Sequence, residues 1–144
     1  MDFIKDGFII TTEKEKLDID LIHSFLNRTY WAEGISKETI KRSIEGSLCF
    51  GVFENDKQVG FARMITDKAT FAYLADVFII EEYRGRRLSK WLMEVIMSHS
   101  DLQGLRRMIL ATKDAHGLYK QFGFTPLINV DRWMHILDQD VYKR

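Results

Sequence analysis

Residues 75–89, ADVFIIEEYRGRRLS, decide the architecture. Val77, Phe78, Ile79 and Ile80 form an unbroken apolar run, the pattern of a strand covered on both faces. Glu81 and Glu82 end that run, and Arg84-Gly85-Arg86-Arg87 follows at once. Leu88, Trp91, Leu92, Val95 and Ile96 then recur at i, i+3, i+4, i+7 and i+8, which predicts a helix over residues 86–99. The first backbone N–H groups of a helix lack acceptors and carry partial positive charge. Three arginines around such an end suit an anion with several oxygens, most simply a pyrophosphate. The alternative is a solvated turn whose arginines pair with Glu81, Glu82 and Glu94.

Working outward, a strand is expected near Phe8–Thr12, then a helix capped by Asp18 with Leu21, Ile22, Phe25 and Leu26 inward. A turn with Tyr30, Trp31 and Gly34 leads to a second helix, capped by Ser36 and burying Ile40 and Ile44. Leu48–Glu54 and Gln58–Ile65 read as a hairpin about Asn55-Asp56-Lys57, and Phe71–Ile80 as the next strand. After the helix of residues 86–99 come a strand at Arg107–Thr112, a short helix at Ala115–Phe122 stopped by Gly123, and a last strand at Trp133–Leu137. The order β, α, α, β, β, β, α, β, α, β predicts one α/β (α+β) domain over residues 1–144. Its central sheet is mixed, with helices on both faces.

The 144 residues carry 21 basic and 21 acidic side chains, so the chain as a whole has no electrostatic draw toward nucleic acid. No apolar run approaches membrane-spanning length, and MDFIKDG lacks a signal-peptide pattern. The single cysteine, Cys49, excludes an internal disulfide and, between Leu48 and Phe50, reads as a buried structural thiol. A cytoplasmic protein without nucleic-acid or membrane partners is expected. The histidines at 23, 99, 116 and 135 show no metal-ligand spacing, so no metal is expected. Neither G-x-x-x-x-G-K-[ST] nor a G-x-G-x-x-G after a strand is present.

A second cluster, TKDAHGLYKQFGF at residues 112–124, puts Tyr119 on a short helix that ends at Gly123. With the element order, this arrangement resembles the GNAT superfamily of acyl-CoA-dependent N-acyltransferases over nearly the whole chain. The family motif R/Q-x-x-G-x-G/A, which binds the pyrophosphate of coenzyme A, falls on Arg84, Gly85, Arg86, Arg87, Leu88 and Ser89. The later pattern N-x-x-A-x-x-(apolar)-Y-x-x-x-G-F falls on Thr112, Ala115, Leu118, Tyr119, Gly123 and Phe124. The second matches well and the first in part. Arg87 stands where the family has its first glycine, and Ser89 at the small final position. If φ is positive at Arg87, the Cβ costs roughly 1–2 kcal/mol, which its guanidinium could offset on a phosphate. Thr112 replaces an asparagine that helps hold the pantetheine arm or the helix start.

The resemblance implies a mostly antiparallel sheet that splays beside the strand before the motif. It puts pantetheine on the backbone at Phe78, Ile79 and Ile80, much as an added strand would lie. It also implies acetyl-CoA as co-substrate, with Tyr119 donating a hydrogen bond or proton to the departing sulfur. A phenol near pKa 10 giving its proton to a thiolate near 8.5 is uphill by roughly 2 kcal/mol, so a hydrogen bond is the expected role. The alternative is a packed tyrosine with its hydroxyl at the surface.

An alkylammonium acceptor must lose a proton before it attacks a thioester. Asp76, Glu33, His23 and His116 are the candidate bases. Asp76, inside an apolar strand, needs a partner, and a structural hydrogen bond competes with catalysis there. His116 reads as packing and His23 as a boundary residue. By analogy with the family, Tyr30, Trp31 and Glu33 line the acceptor pocket, where an aromatic wall with one carboxylate favours a cationic or aromatic amine. The competing role for Trp31 is to plug the core. The expected activity is transfer of an acetyl group from acetyl-CoA to a primary amine, most simply a small molecule, by direct attack in a ternary complex. A non-catalytic acyl-CoA-sensing or partner-binding domain is the alternative. The oligomeric state, a homodimer included, stays open.

Overall fold

The computed structural model describes residues 2–144. Six strands lie side by side in chain order: β1 (Asp2–Lys5), β2 (Phe8–Thr11), β3 (Leu48–Glu54), β4 (Lys57–Thr66), β5 (Phe71–Ile79) and β6 (Arg107–Leu110). Each neighbouring pair is antiparallel except β5 and β6, which run parallel. Parallel neighbours need a crossover. Helix α3 (Leu88–Ser98) supplies it, so the turn at residues 80–87 must sit at the end of β5.

Helices α1 (Ile19–Leu26) and α2 (Lys37–Glu45) begin where the sequence places their caps. Asp18 Oδ1 accepts from the Leu21 N–H at 3.0 Å, and Ser36 Oγ from the Thr39 N–H at 3.1 Å. The Phe25 ring of α1 stacks on Phe78 of β5, with centroids 4.0 Å apart, and Phe78 lies beside Phe61 of β4. Phe61 pairs in register with Gly51, so the adjacent Phe50 points to the opposite face. There Phe50 meets His99, directly after α3. Helices therefore cover both faces, which is why β3 is buried along six of its seven residues.

Two parts of the predicted strand order are corrected. Trp133–Leu137 is not a strand: it is extended chain without ladder bonds, and its side chains stand in solvent. Alternating apolar residues cannot reveal whether a partner edge lies within reach. At the other end, β1 went unread because only Phe3 of its four residues is covered. Its signal was the Asp6-Gly7 pair, which takes positive φ at both positions (52° and 83°), as a two-residue hairpin turn requires. Among the described residues no helix is long and apolar enough to cross a membrane.

Candidate active site

The site grows from an irregularity in β5. Phe61 pairs with Phe78 and Arg63 with Ala75, so Ala62 alone opposes Asp76 and Val77. This is a β-bulge, and Asp76 takes φ 55°, the left-handed region usually left to glycine. A bulge bends its strand. The ladder between β5 and β6 ends at Leu74 and Leu110, just before it, so the far edge of β5 is open from Ala75 onward. The splay implied by the family resemblance thus has a local cause.

Hydrogen bonds decide which backbone groups face that opening. The Ile80 N–H donates to the Val59 carbonyl at 2.9 Å, and the Ile80 carbonyl accepts from the Tyr83 N–H at 3.0 Å. Alternation along the strand turns Phe78 toward β4 as well and leaves Ile79 facing the open side. The Ile79 carbonyl accepts from Arg84 Nε at 3.0 Å. Of the three residues assigned to pantetheine, Ile79 is therefore the one whose backbone N–H is presented to the gap.

The turn then delivers the start of α3. Arg87 is its N-cap, at φ 62° and ψ 20°, with no capping side-chain bond, and the first turn holds no acidic residue. The first intrahelical bond runs from the Trp91 N–H to the Arg87 carbonyl, so the N–H groups of Leu88, Ser89 and Lys90 point outward without acceptors. The alternative of arginines neutralised by Glu81, Glu82 and Glu94 does not occur. Among the described residues neither Arg84, Arg86 nor Arg87 makes an ion pair. Arg86 lies over the Tyr83 ring, 4.8 Å from its centroid, while the Tyr83 hydroxyl donates to Glu54 at 2.6 Å. A cleft of about 290 Å³ adjoins this end, with Arg86, Arg87 and Leu88 on one wall and Lys5, Asp6 and Phe8 on another. Free N–H groups, unpaired guanidinium groups and an open strand edge fit a diphosphate attached to an amide-bearing arm.

Arg87 carries the left-handed strain that its position implied. Arg87→Gly relieves roughly 1–2 kcal/mol of it and returns roughly 0.5–1 kcal/mol through the freer unfolded chain. We expect the variant to gain up to about 1 kcal/mol, read as a higher urea midpoint. A lower midpoint would show that the guanidinium makes a stabilising contact in the unliganded protein.

Across the splay, Asp76 joins three elements. Its Oδ1 accepts from Trp31 Nε1 at 3.0 Å, and its Oδ2 from Arg63 Nε at 2.9 Å. Arg63 Nη1 also donates to Ser47 Oγ at 3.2 Å. The ion pair is enclosed, with side-chain exposures of 16% and 10%. Asp76 thus has the partner that a buried acid requires. Arg63 and Ser47 were missed in sequence because an arginine four residues after Val59 in an apolar strand gives no hint of which acid it meets.

Trp31 does not plug the core: it is 46% exposed and Tyr30 70%, their rings edge-to-face at 5.1 Å. Lys113 Nζ lies 5.7 Å from the Tyr30 ring centre, so the loops at residues 30–34 and 112–115 meet beside the opening. Glu33 is exposed, without an ion pair among the described residues. The loop is shaped by Gly34, at φ 91°, whose N–H donates to Asn27 Oδ1 at 2.6 Å. His23 Nε2–H donates to the Ile35 carbonyl at 3.0 Å, so it braces the same loop.

Thr112 Oγ1 accepts from the Ala115 N–H at 3.1 Å and so holds the turn that leads into α4 (His116–Lys120), whose N-cap is Ala115. Gly123 closes that helix at φ 93°. His116 corrects an expectation: it is exposed on the first turn rather than packed. Tyr119 is buried against Phe124, rings 5.9 Å apart, and among the described residues its hydroxyl has no hydrogen-bond partner. That hydroxyl is not sealed from solvent, since it is not among the fully enclosed unpaired polar atoms. Burial pushes the phenol pKa up from its ordinary value, so the group holds its proton more firmly than a free tyrosine. Cys49 is buried, and desolvation raises its thiol to about 11, which removes it as a nucleophile near neutral pH. Among the described residues no three His, Cys, Asp or Glu side chains cluster closely enough to hold a metal ion.

A mixed sheet opened by a bulge beside an uncapped, arginine-rich helix start defines the class to which this molecule belongs. The chain is a member of the acetyltransferase (GNAT) family, whose pattern matches residues 17–124. It is similar to a candidate acetyltransferase of Gibberella zeae at 29% identity, over 80% of this chain and 77% of that protein. A GNAT-family protein of Xanthomonas campestris, known from a crystal structure, has TM-score 0.93 and 49% identity, over 95% of this chain and 97% of that one. A candidate acetyltransferase of Clostridium acetobutylicum, solved with acetyl-CoA, shares the fold at TM-score 0.67 and 14% identity, over 90% of this chain and 96% of its own.

Proposed function

We propose that the protein moves an acetyl group from acetyl-CoA to a primary amine, by direct attack within a ternary complex. The observation that carries this reading is the continuity of the open β5 edge with the uncapped start of α3. Coenzyme A supplies a thioester whose acetyl group is activated toward amines. The N–H groups of Leu88, Ser89 and Lys90, with Arg86 and Arg87, would hold its pyrophosphate, and Ile79 its pantetheine arm. Arg84 tethers the turn to the Ile79 carbonyl and so sets the spacing between the two.

Tyr119 serves as hydrogen-bond donor to the departing sulfur. Its raised pKa favours a shared proton over full transfer, since transfer to a thiolate becomes more uphill than in free tyrosine. Asp76 acts as a positioning residue rather than as the base, because both of its oxygens already accept hydrogen bonds. Through Trp31 it fixes the acceptor loop, whose Tyr30, Trp31 and Glu33 favour a cationic or aromatic amine.

Cys49 is buried and held protonated, and no cysteine or serine constellation suggests a covalent intermediate, so the amine attacks directly. Thiol release from acetyl-CoA across a panel of small primary amines checks this. For the amine that turns over, initial-rate lines at varied acetyl-CoA should intersect. Parallel lines would mean a covalent intermediate and overturn the direct route.

A further inference from the structure

Phe8 of β2, Glu54 of β3 and Lys57 of β4 stand in one row across three strands. Phe8 pairs in register with Glu54, and Glu54 with Lys57. Residues directly opposite in an antiparallel ladder point to the same face. Tyr83 ends the single-turn helix Glu81–Tyr83 that follows β5, and it lies against all three. Its ring meets the Phe8 ring edge-on, with centroids 6.0 Å apart, and its hydroxyl donates to Glu54 at 2.6 Å. Lys57 Nζ stands 5.3 Å from the ring centre. The Tyr83 N–H donates to the Ile80 carbonyl, so this half-buried side chain is held at its backbone and at its hydroxyl.

What the fixed ring carries is the Arg86 guanidinium, 4.8 Å from its centroid. Stacking on a ring uses the face of a guanidinium and leaves its N–H donors, which lie in the plane, free. A carboxylate would hold the same group by consuming those donors. Glu54, the acid on the same tyrosine, receives the phenol hydroxyl instead, and among the described residues Arg86 makes no ion pair. Arg86 also lines the cleft of about 290 Å³ beside the start of α3. A long side chain gives up rotamer freedom when it grips an anion, and one already stacked has less to give up.

We propose that Tyr83 is a positioning residue for the donor: braced by the Phe8–Glu54–Lys57 row, it holds Arg86 in place with its N–H groups free for the pyrophosphate. The inference rests on the donor site proposed above. Tyr83 acts through Arg86 and touches no reacting atom, so its effect falls on affinity for acetyl-CoA. A ring that served only to pack the turn would cost the same affinity whether or not Arg86 were present.

Calorimetric titration with acetyl-CoA of the parent, Tyr83→Leu, Tyr83→Phe, Arg86→Ala and the Tyr83→Leu, Arg86→Ala double variant tests this as a cycle. Tyr83→Leu should raise the Kd about tenfold, and Tyr83→Phe, which keeps the ring, by no more than about threefold. Once Arg86 is alanine, adding Tyr83→Leu should change the Kd by less than about twofold, because the ring then has nothing to hold. Equal costs of Tyr83→Leu in the two backgrounds would overturn the proposal, since the ring would then act without Arg86. So would a Tyr83→Leu variant that binds acetyl-CoA as tightly as the parent. Failure of the donor reading looks different: the parent itself then gives no heat with acetyl-CoA, and the role of Tyr83 falls with it.

Discussion

Tyr119→Phe should lower kcat about 100-fold, at the modest end of what a positioned proton donor contributes, with the KM for acetyl-CoA nearly unchanged. The ring is buried against Phe124 and its hydroxyl has no partner among the described residues, so phenylalanine preserves the packing and removes only the donor. The substitution leaves no orphaned group behind, which makes the kinetic readout clean. A raised phenol pKa sets the sign of the pH dependence: the donor stays protonated through and beyond the ordinary tyrosine range. Steady-state rates against acetyl-CoA at saturating amine check the split. Equal kcat in mutant and parent would remove Tyr119 from the chemistry, and a higher KM alone would make it a binding residue.

Arg63→Met should cost about 3–5 kcal/mol of stability, because it leaves the Asp76 carboxylate enclosed without its cation. For a domain of this size that lowers the unfolding midpoint by roughly 10–17 °C. Adding Asp76→Gly should recover part of the loss. Glycine removes the unpaired charge and suits φ 55° at the bulge. Differential scanning calorimetry on the single and double variants measures both effects. A single-variant loss below about 1 kcal/mol would mean that the pair behaves as a solvated one.

The arginine turn, the Tyr119 helix and the two helix caps were legible because each rests on local chemistry: a capping oxygen three residues before its N–H, or an apolar stripe at helical spacing. The strain at Arg87 was legible too, since the glycine it replaces marks a position of positive φ. The bulge at Asp76 was not. Nothing in ADV distinguishes an acid that turns out to water from one held left-handed by Arg63 and Trp31, forty-five residues apart in the case of the indole. Phe78, Ile79 and Ile80 read alike in sequence, yet only the ladder shows that Ile80 is spent on Val59 and Tyr83. The strand expected at Trp133–Leu137 failed for the same reason. Its pattern is that of a strand, but a strand exists only where an edge accepts it.

Calorimetric titration of the purified protein with acetyl-CoA, with desulfo-CoA and ATP as comparison ligands, tests the donor site most directly. The open β5 edge and the uncapped start of α3 predict micromolar binding of acetyl-CoA, well tighter than ATP, despite arginine at position 87. No detectable heat with acetyl-CoA would mean that the departures at Arg87 and Ser89 have disabled the site, and would contradict acetyl transfer by this chain.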